Sequence, residues 1–127
     1  MCLDKVTDRE LTREQKFGVG YKVFRNDNNK LTSLFMRGVG KNIKQVPINR
    51  WIHERAFNPY GTNVKLSYPS GFHIFKNRND AISYYHLSGP IIIKKIKYRN
   101  AHTLGLTSFH RDTVVAKEML VLDRRYQ

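Results

Sequence analysis

The chain has 127 residues, of which 40% are hydrophobic and 12% aromatic, and it carries a formal net charge of +13. This length and composition predict one folded domain with a core of its own, and they exclude a disordered tail. Because the chain has a single cysteine, Cys2, an internal disulfide and a cysteine-rich zinc site are also excluded.

The positive charge is concentrated in the middle of the sequence. Between Asn28 and Arg111 there are 14 Lys or Arg residues and only two acids, Glu54 and Asp80, so this segment has a net charge of +12. Cations at this density repel one another unless an anion lies among them, and a polyanion is therefore the expected partner. A basic surface without a ligand is the plainer alternative.

Neither a membrane segment nor a secretory signal is visible in the sequence. No apolar run approaches 18 residues, and the first ten residues lack the apolar core of a signal peptide. We therefore expect a cytoplasmic protein without membrane contact, in a compartment that keeps Cys2 reduced.

In the first half of the chain, local signals predict a short helix, a hairpin and a loop. The capping box Thr7-x-x-Glu10 predicts a helix over residues 8–16, which ends at the glycines of Gly18–Gly20. Residues 21–25 and 31–36 are predicted strands joined by an asparagine-rich turn. Residues 37–42 form a basic glycine loop without the phosphate-loop spacing, although Lys41 and the backbone amides could still meet a phosphate.

The region around residues 48–85 holds the most regular pattern. Residues 48–57 predict a short helix, with a strand as the alternative, and residues 63–68 predict a strand. The turn Pro69-Ser70-Gly71 then leads into a short apolar strand, Phe72–Phe75, and a helix over Asn77–Tyr85 follows.

Two further strands, Ile91–Tyr98 and Thr113–Leu122, complete the predicted elements. The fold predicted from these signals is α+β: a single compact domain with a mainly antiparallel sheet and two or three short helices, the Asn77–Tyr85 helix packing on one face. A sheet in so short a chain leaves exposed edges, so a homo-oligomer is possible.

Alternation along Ile91–Tyr98 places Lys95 and Lys97 on one face, and Lys94 with Ile96 on the other. The pair Lys95 and Lys97 forms a lysine row, and cations beside aromatic rings are typical of surfaces that bind nucleic acid or nucleotides. The predicted anion-binding residues are Lys94, Lys95, Lys97, Arg99, Arg50, Trp51, Lys41, Tyr84 and His73. Tyr98 is a further candidate for stacking.

Two polar residues stand in apolar surroundings. His73 interrupts the apolar strand before the predicted helix, as either a hydrogen-bonded structural histidine or a site residue. Alternation places Glu118 on the face of Val114, Ala116, Leu120 and Leu122, where an ion pair or hydrogen bond is expected and catalysis is the alternative. The five histidines match no metal-binding spacing, so neither a metal nor a cofactor is expected.

The strings MCL at the start, GYKVF at 20–24, GFHIF at 71–75 with DA at 80–81, and VVAKEM at 114–119 resemble a group of small uncharacterised proteins of bacteriophages and bacteria. The resemblance implies a phage-like origin and action in the host cytoplasm. Small basic phage proteins of this kind are often inhibitors or sequestering proteins directed at host defence or host nucleic-acid enzymes.

A second order of motifs, GYKVFR followed by GFHIF, DAISYY and a late strand with Glu118, is similar to that of ADP-ribosyltransferase folds. That resemblance implies an NAD-dependent enzyme with Arg25, Tyr84 or Tyr85, and Glu118 in its site. The Ser-Thr-Ser strand of those enzymes is missing, and the net charge suits a polyanion better than a dinucleotide.

The function expected from the sequence is therefore binding, without catalysis, of a nucleic acid or phosphate-rich nucleotide, in order to inhibit or sequester a host component. Two alternatives stay open at this point: an ADP-ribosyltransferase-like enzyme, and an inhibitor whose basic surface docks directly on an acidic host protein.

Overall fold

The computed structural model describes residues 3–27, 30–33, 46–54, 71–84, 91–107 and 111–122. Its strands are β1 (Lys5–Asp8), β2 (Gly18–Asp27), β3 (Lys30–Ser33), β4 (Trp51–His53), β5 (Phe72–Phe75), β6 (Ile91–Thr107) and β7 (Arg111–Val121). Apart from one 3-10 turn, Glu14–Lys16, the described ranges contain a single helix, α1 (Arg78–Tyr84), of seven residues. With this length, α1 is far too short to cross a membrane.

The described fold is essentially all-β, so the predicted α+β fold with two or three helices is wrong. The helix predicted over residues 8–16 is replaced by β1 and the 3-10 turn, because β6 runs nine residues beyond its predicted end and offers an edge that β1 pairs with. Likewise Trp51–His53 is a strand that pairs with β7, which is the alternative given for residues 48–57 and not the helix. In both places, long-range backbone pairing outweighs a weak local helix signal.

All pairings between the described strands are antiparallel, and the order is β1-β6-β2-β5-β7-β4. Strand β3 is outside this order and pairs with the edge of β2 that faces away from β6. Strand β6 also pairs with β7 over most of the length of β7, so the path β6–β2–β5–β7 returns to β6 and the sheet closes on itself. The enclosed space holds the main core, which includes Phe24, Phe72, Ile96, Val114 and Met119.

On both β6 and β7, the regular alternation of inward- and outward-facing side chains is interrupted at one point, so that the side chains beyond it face the opposite way. On β6 the core residues are Ile96 and Tyr98 before this point and Ala101 after it, with Asn100 between them at a positive φ of 56°. Asparagine tolerates this left-handed conformation better than most residues. On β7 the core residues change from Val114 and Ala116 to Met119 and Val121.

Helix α1 covers one end of the outer surface of the sheet. Its Ala81 is fully buried against Val23 and Phe75, with Ile91 and Ile93 packed beside them. At the start of the helix the carbonyl of Asn77 accepts the Ala81 N–H at 3.3 Å, and Asn77 Nδ2 donates to Asp80 Oδ2. The predicted helix is thus present, in the position expected, over residues 78–84.

The hairpin predicted around residues 21–36 is also present, as β2 and β3. Residues 34–45, 55–70 and 85–90 lie outside the described ranges, and the predictions made for the glycine loop, for the strand over 63–68 and for Tyr85 lie outside them too.

Gly20 lies where β2 passes closest to β5. A Cβ at this position would stand 2.5 Å from the carbonyl oxygen of Phe75 and 2.6 Å from Cγ2 of Ile74. Gly20→Ala is expected to lower the free energy of unfolding by about 2–3 kcal/mol, because β5 cannot move aside without disturbing its pairing with β7. Urea unfolding would measure the loss.

Gly18→Ala is the matched control for this substitution, because its Cβ would meet the hydroxyl end of the Tyr98 side chain and not a backbone atom. We expect the smaller loss there. A Gly20→Ala protein as stable as the wild type would contradict the close approach of β2 and β5.

Candidate functional site

Four adjacent strands contribute outward-facing side chains to one surface. Directly opposite residues of an antiparallel sheet share a face, and the register aligns Val19 on β2 with Lys97 on β6, Leu120 on β7 and Trp51 on β4. A neighbouring row lies on each side of this one. In one of them Tyr21 lies opposite Lys95, and in the other Arg99, Glu118 and His53 lie opposite one another. We call this surface the basic face; its residues are Val19, Tyr21, Lys95, Lys97, Arg99, Glu118, Leu120, Trp51 and His53.

The centre of the basic face is a column of three cations on β6. Lys95, Lys97 and Arg99 occupy alternate positions of this strand, so their Cα atoms follow one another at about 7 Å. Lys95 is half-buried, whereas Lys97 and Arg99 are exposed. The lysine row predicted from alternation is confirmed, and Arg99 extends it.

Arg99 is held in place by a carboxylate and an aromatic ring. Its Nε and Nη2 donate to Glu118 Oε2 at 3.1 and 2.8 Å, and its Cζ lies 4.1 Å from the centroid of the Trp51 ring. Asn100 Nδ2 donates to the other oxygen, Glu118 Oε1. The hydrogen bond from Arg99, followed by the one from Asn100, lowers the pKa of Glu118, although partial burial opposes them.

The predicted ion pair of Glu118 is therefore confirmed, but the face assigned to this residue is wrong. Alternation placed Glu118 with Val114 and Ala116, which point into the core. Because β7 exchanges its faces between Ala116 and Met119, Glu118 and Leu120 point outward instead.

Apolar side chains flank the cation column. On the β2 side, Val19 is 45% exposed and Phe17, immediately before β2, is 59% exposed. On the β7 and β4 side, Leu120 and Trp51 are half-buried. The basic face therefore combines positive charge with apolar surface that water reaches.

Two lysines lie inside the sheet, and one of them, Lys94, is a predicted anion-binding residue. Lys94 is only 3% exposed, and Lys22 stands directly opposite it on β2, on the side of the main core. Lys22 Nζ donates to the carbonyl oxygen of His73 at 2.8 Å, and burial lowers the pKa of Lys22 to about 8. Lys94 is therefore not part of the basic face.

His73 is partly buried, and it lies on the face of β5 opposite the core residues Phe72 and Ile74. Burial is the main reason why its pKa falls to about 3, and the nearby charge of Lys22 adds to this effect. The imidazole is consequently neutral at physiological pH, which suits a structural histidine and not an anion ligand.

The other predicted site residues are dispersed. Arg50 is exposed and directly precedes Trp51. Tyr84 is the last residue of α1, its side chain being outside the described part, and Lys41 lies outside the described ranges altogether. Tyr98, the further stacking candidate, is buried in the core.

The residues of the ADP-ribosyltransferase-like arrangement do not meet. Arg25 pairs with Ile91 at the start of β6, whereas Glu118 pairs with Arg99. Eight residues of extended strand separate these two positions, a distance of about 26 Å. The structure therefore brings Trp51 and Glu118 to the lysine row but leaves Arg25 at the other end of the sheet.

Sequence reasoning missed several members of this surface, among them Val19, Leu120 and His53. Gly18–Gly20 predicts a break, and residues 48–57 predict a helix with a strand as the alternative, so the sequence does not place either segment beside the lysine row. The alternation of Val19, Tyr21 and Val23 was the available signal, but it contains no information on the partner strand.

The described residues contain no group of three or more His, Cys, Asp or Glu side chains that could hold a metal ion.

Comparison with protein-family models, with curated proteins and with solved structures finds no match to this chain.

Proposed function

We propose that this protein binds a polyanion, a nucleic acid or another phosphate-rich ligand, on the basic face, and that it acts by binding and not by catalysis. The observation that carries the proposal is the column Lys95, Lys97 and Arg99, which lies within an outward-facing surface four strands wide. Glu118 is the one acid among the described residues of this face, and Arg99 already neutralises it.

Electrostatics favours a ligand at this surface. Lys95 and Lys97 are like charges on neighbouring outward positions, which is mildly unfavourable in the free protein. A bound phosphate reverses the sign of this interaction and releases counterions from the ligand. Arg99 retains donors for a ligand, because the Glu118 contact uses Nε and Nη2, and within the described part of the chain Nη1 makes no hydrogen bond.

Such binding would suit a protein that sequesters nucleic acid, or inhibits a host enzyme that works on it, in the cytoplasm of an infected bacterium. This biological role follows from the motif resemblance to small phage proteins and from the charge. Docking on an acidic host protein is the competing use of the same surface.

A fluorescence-anisotropy titration with labelled DNA and RNA tests the proposal. Three phosphate contacts predict a slope of log K against log salt of about −2.1 for a single strand and about −2.7 for a duplex, so affinity should fall roughly 20- to 40-fold between 50 and 200 mM salt. Absence of binding at low salt would overturn the proposal.

A pull-down from bacterial lysate, before and after nuclease treatment, separates the two uses of the surface. Capture that is lost with nuclease supports nucleic-acid binding. Capture of an acidic protein that survives nuclease, together with a failed titration, would replace the proposal by protein docking.

A further inference from the structure

We infer that the ligand of the basic face is a single-stranded nucleic acid, whose phosphates lie along the cation column and whose bases lie on the apolar flanks. This inference rests on the proposed function and specifies its ligand. Three features of the surface carry it: the linear arrangement of the cations, the exposed apolar side chains beside them, and the stacked pair Arg99 and Trp51.

The cations form one straight line, because all three belong to a single strand. From Lys95 to Arg99 the line covers about 13 Å in two steps of about 7 Å, which is close to the separation of adjacent phosphates on an extended single strand. The two backbones of a duplex are separated by grooves about 6 and 12 Å wide. A line of this kind follows one backbone and gains nothing from a second strand.

The flanks of the column are suited to bases. Neighbouring strands lie about 4.8 Å apart, so Val19 on β2 is one strand from Lys97 and Trp51 is two strands away on the other side. Bases that extend sideways from a backbone on the column reach these distances. In a duplex the bases are paired with each other, and the exposed surface of Phe17 and Val19 would stay in contact with water.

Arg99 and Trp51 provide a stacking surface. The guanidinium group lies over the indole ring at 4.1 Å, and the Glu118 contact fixes its orientation. The Arg99 side chain is 47% exposed, so an unpaired base can stack on the accessible side of the guanidinium plane, as is common in single-strand recognition.

The first test compares three polyanions in one assay: a single-stranded 12-mer, a blunt duplex of the same sequence, and inorganic polyphosphate of equal chain charge. Trp51 is the only tryptophan, so intrinsic fluorescence reports directly on this surface. We expect the single strand to bind at least tenfold more tightly than the other two and to quench the fluorescence.

The outcomes separate the inference from the proposed function. Equal affinity for all three polyanions would overturn the single-strand inference and leave polyanion binding intact. Tighter binding of the duplex than of the single strand would likewise overturn the single-strand inference and leave polyanion binding intact. No binding of any of them would overturn both.

The second test removes the apolar flank without changing charge. Phe17→Ser combined with Val19→Thr should lower the affinity for the single strand roughly fivefold or more, the loss expected when a base loses its apolar contact. Polyphosphate affinity should stay unchanged, because the cations remain.

Ile82→Ser is the matched control for this double variant. Ile82 is 46% exposed, much like Val19, but it lies on α1, outside the basic face. We expect wild-type affinity for all three polyanions, and a melting temperature for each variant confirms that it folds. A Phe17/Val19 variant that folds and binds the single strand as tightly as the wild type would overturn the inference.

Discussion

Replacement of both Lys95 and Lys97 by alanine is expected to weaken polyanion binding about 30-fold at low salt, since two contacts of about 1 kcal/mol each are lost. The slope of log K against log salt should become shallower by about 1.4 units for a single strand and about 1.8 for a duplex. Salt-dependent anisotropy titrations measure both quantities. Thermal unfolding should change little, because Ile96 and the other core residues of β6 are untouched.

The double variant Lys5→Ala with Lys76→Ala is the matched control. Both side chains are exposed, and both lie outside the basic face, on β1 and just after β5. Removal of these charges lowers the net charge by the same amount, so a general charge effect would weaken binding in both proteins. Equal losses of affinity and equal salt slopes in the two double variants would rule out the basic face as the contact surface.

Glu118→Gln supplies a test in the opposite direction. This change releases Arg99 from its ion pair and removes a negative charge from the basic face. Affinity should rise a few-fold, whereas Asp112→Asn, an exposed acid at the start of β7, should have less effect. A weaker-binding Glu118→Gln protein would show that the orientation of Arg99 matters more than its charge.

Acidification below pH 6.5 is expected to destabilise the protein through His73. Its pKa is about 3 in the folded protein and 6.5 in an exposed peptide, so between these values the unfolded chain binds a proton that the folded chain does not. The contribution of His73 to the free energy of unfolding is therefore fully present above pH 6.5. It is lost as the pH falls toward 3, at up to about 1.4 kcal/mol per pH unit.

Urea unfolding at pH 7 and at pH 4.5, for the wild type and for His73→Gln, measures this contribution. Glutamine is polar but does not titrate, so the difference in unfolding free energy between the two pH values should be smaller in the variant. His53→Gln, at an exposed position, controls for the loss of an imidazole as such. If His73→Gln and the wild type lose the same stability on acidification, His73 is not the responsible group.

Much of the local structure of this protein could be predicted from its residues. The apolar run around Phe72 predicts a strand, and the alternation in Ile91–Tyr98 correctly separates Lys95 and Lys97 from Lys94. The helix after Asn77 was also predictable, since Asn77 can cap a helix start and the apolar residues Ala81, Ile82, Tyr84 and Tyr85 recur at helical spacing within one short segment. These features depend on neighbouring residues and on the two-residue period of a strand.

The sequence alone thus determined the basic charge, the outward lysine row and most of the individual strands. Tertiary pairing decided that residues 5–8 and 51–53 are strands, that Trp51 and Val19 lie beside the lysine row, and that Glu118 meets Arg99. Alternation cannot reveal these features, because the register between strands and the exchange of faces near Asn100 depend on contacts between residues far apart in the chain. The basic face is therefore a product of the closed sheet, assembled from four strands that are separated in the sequence.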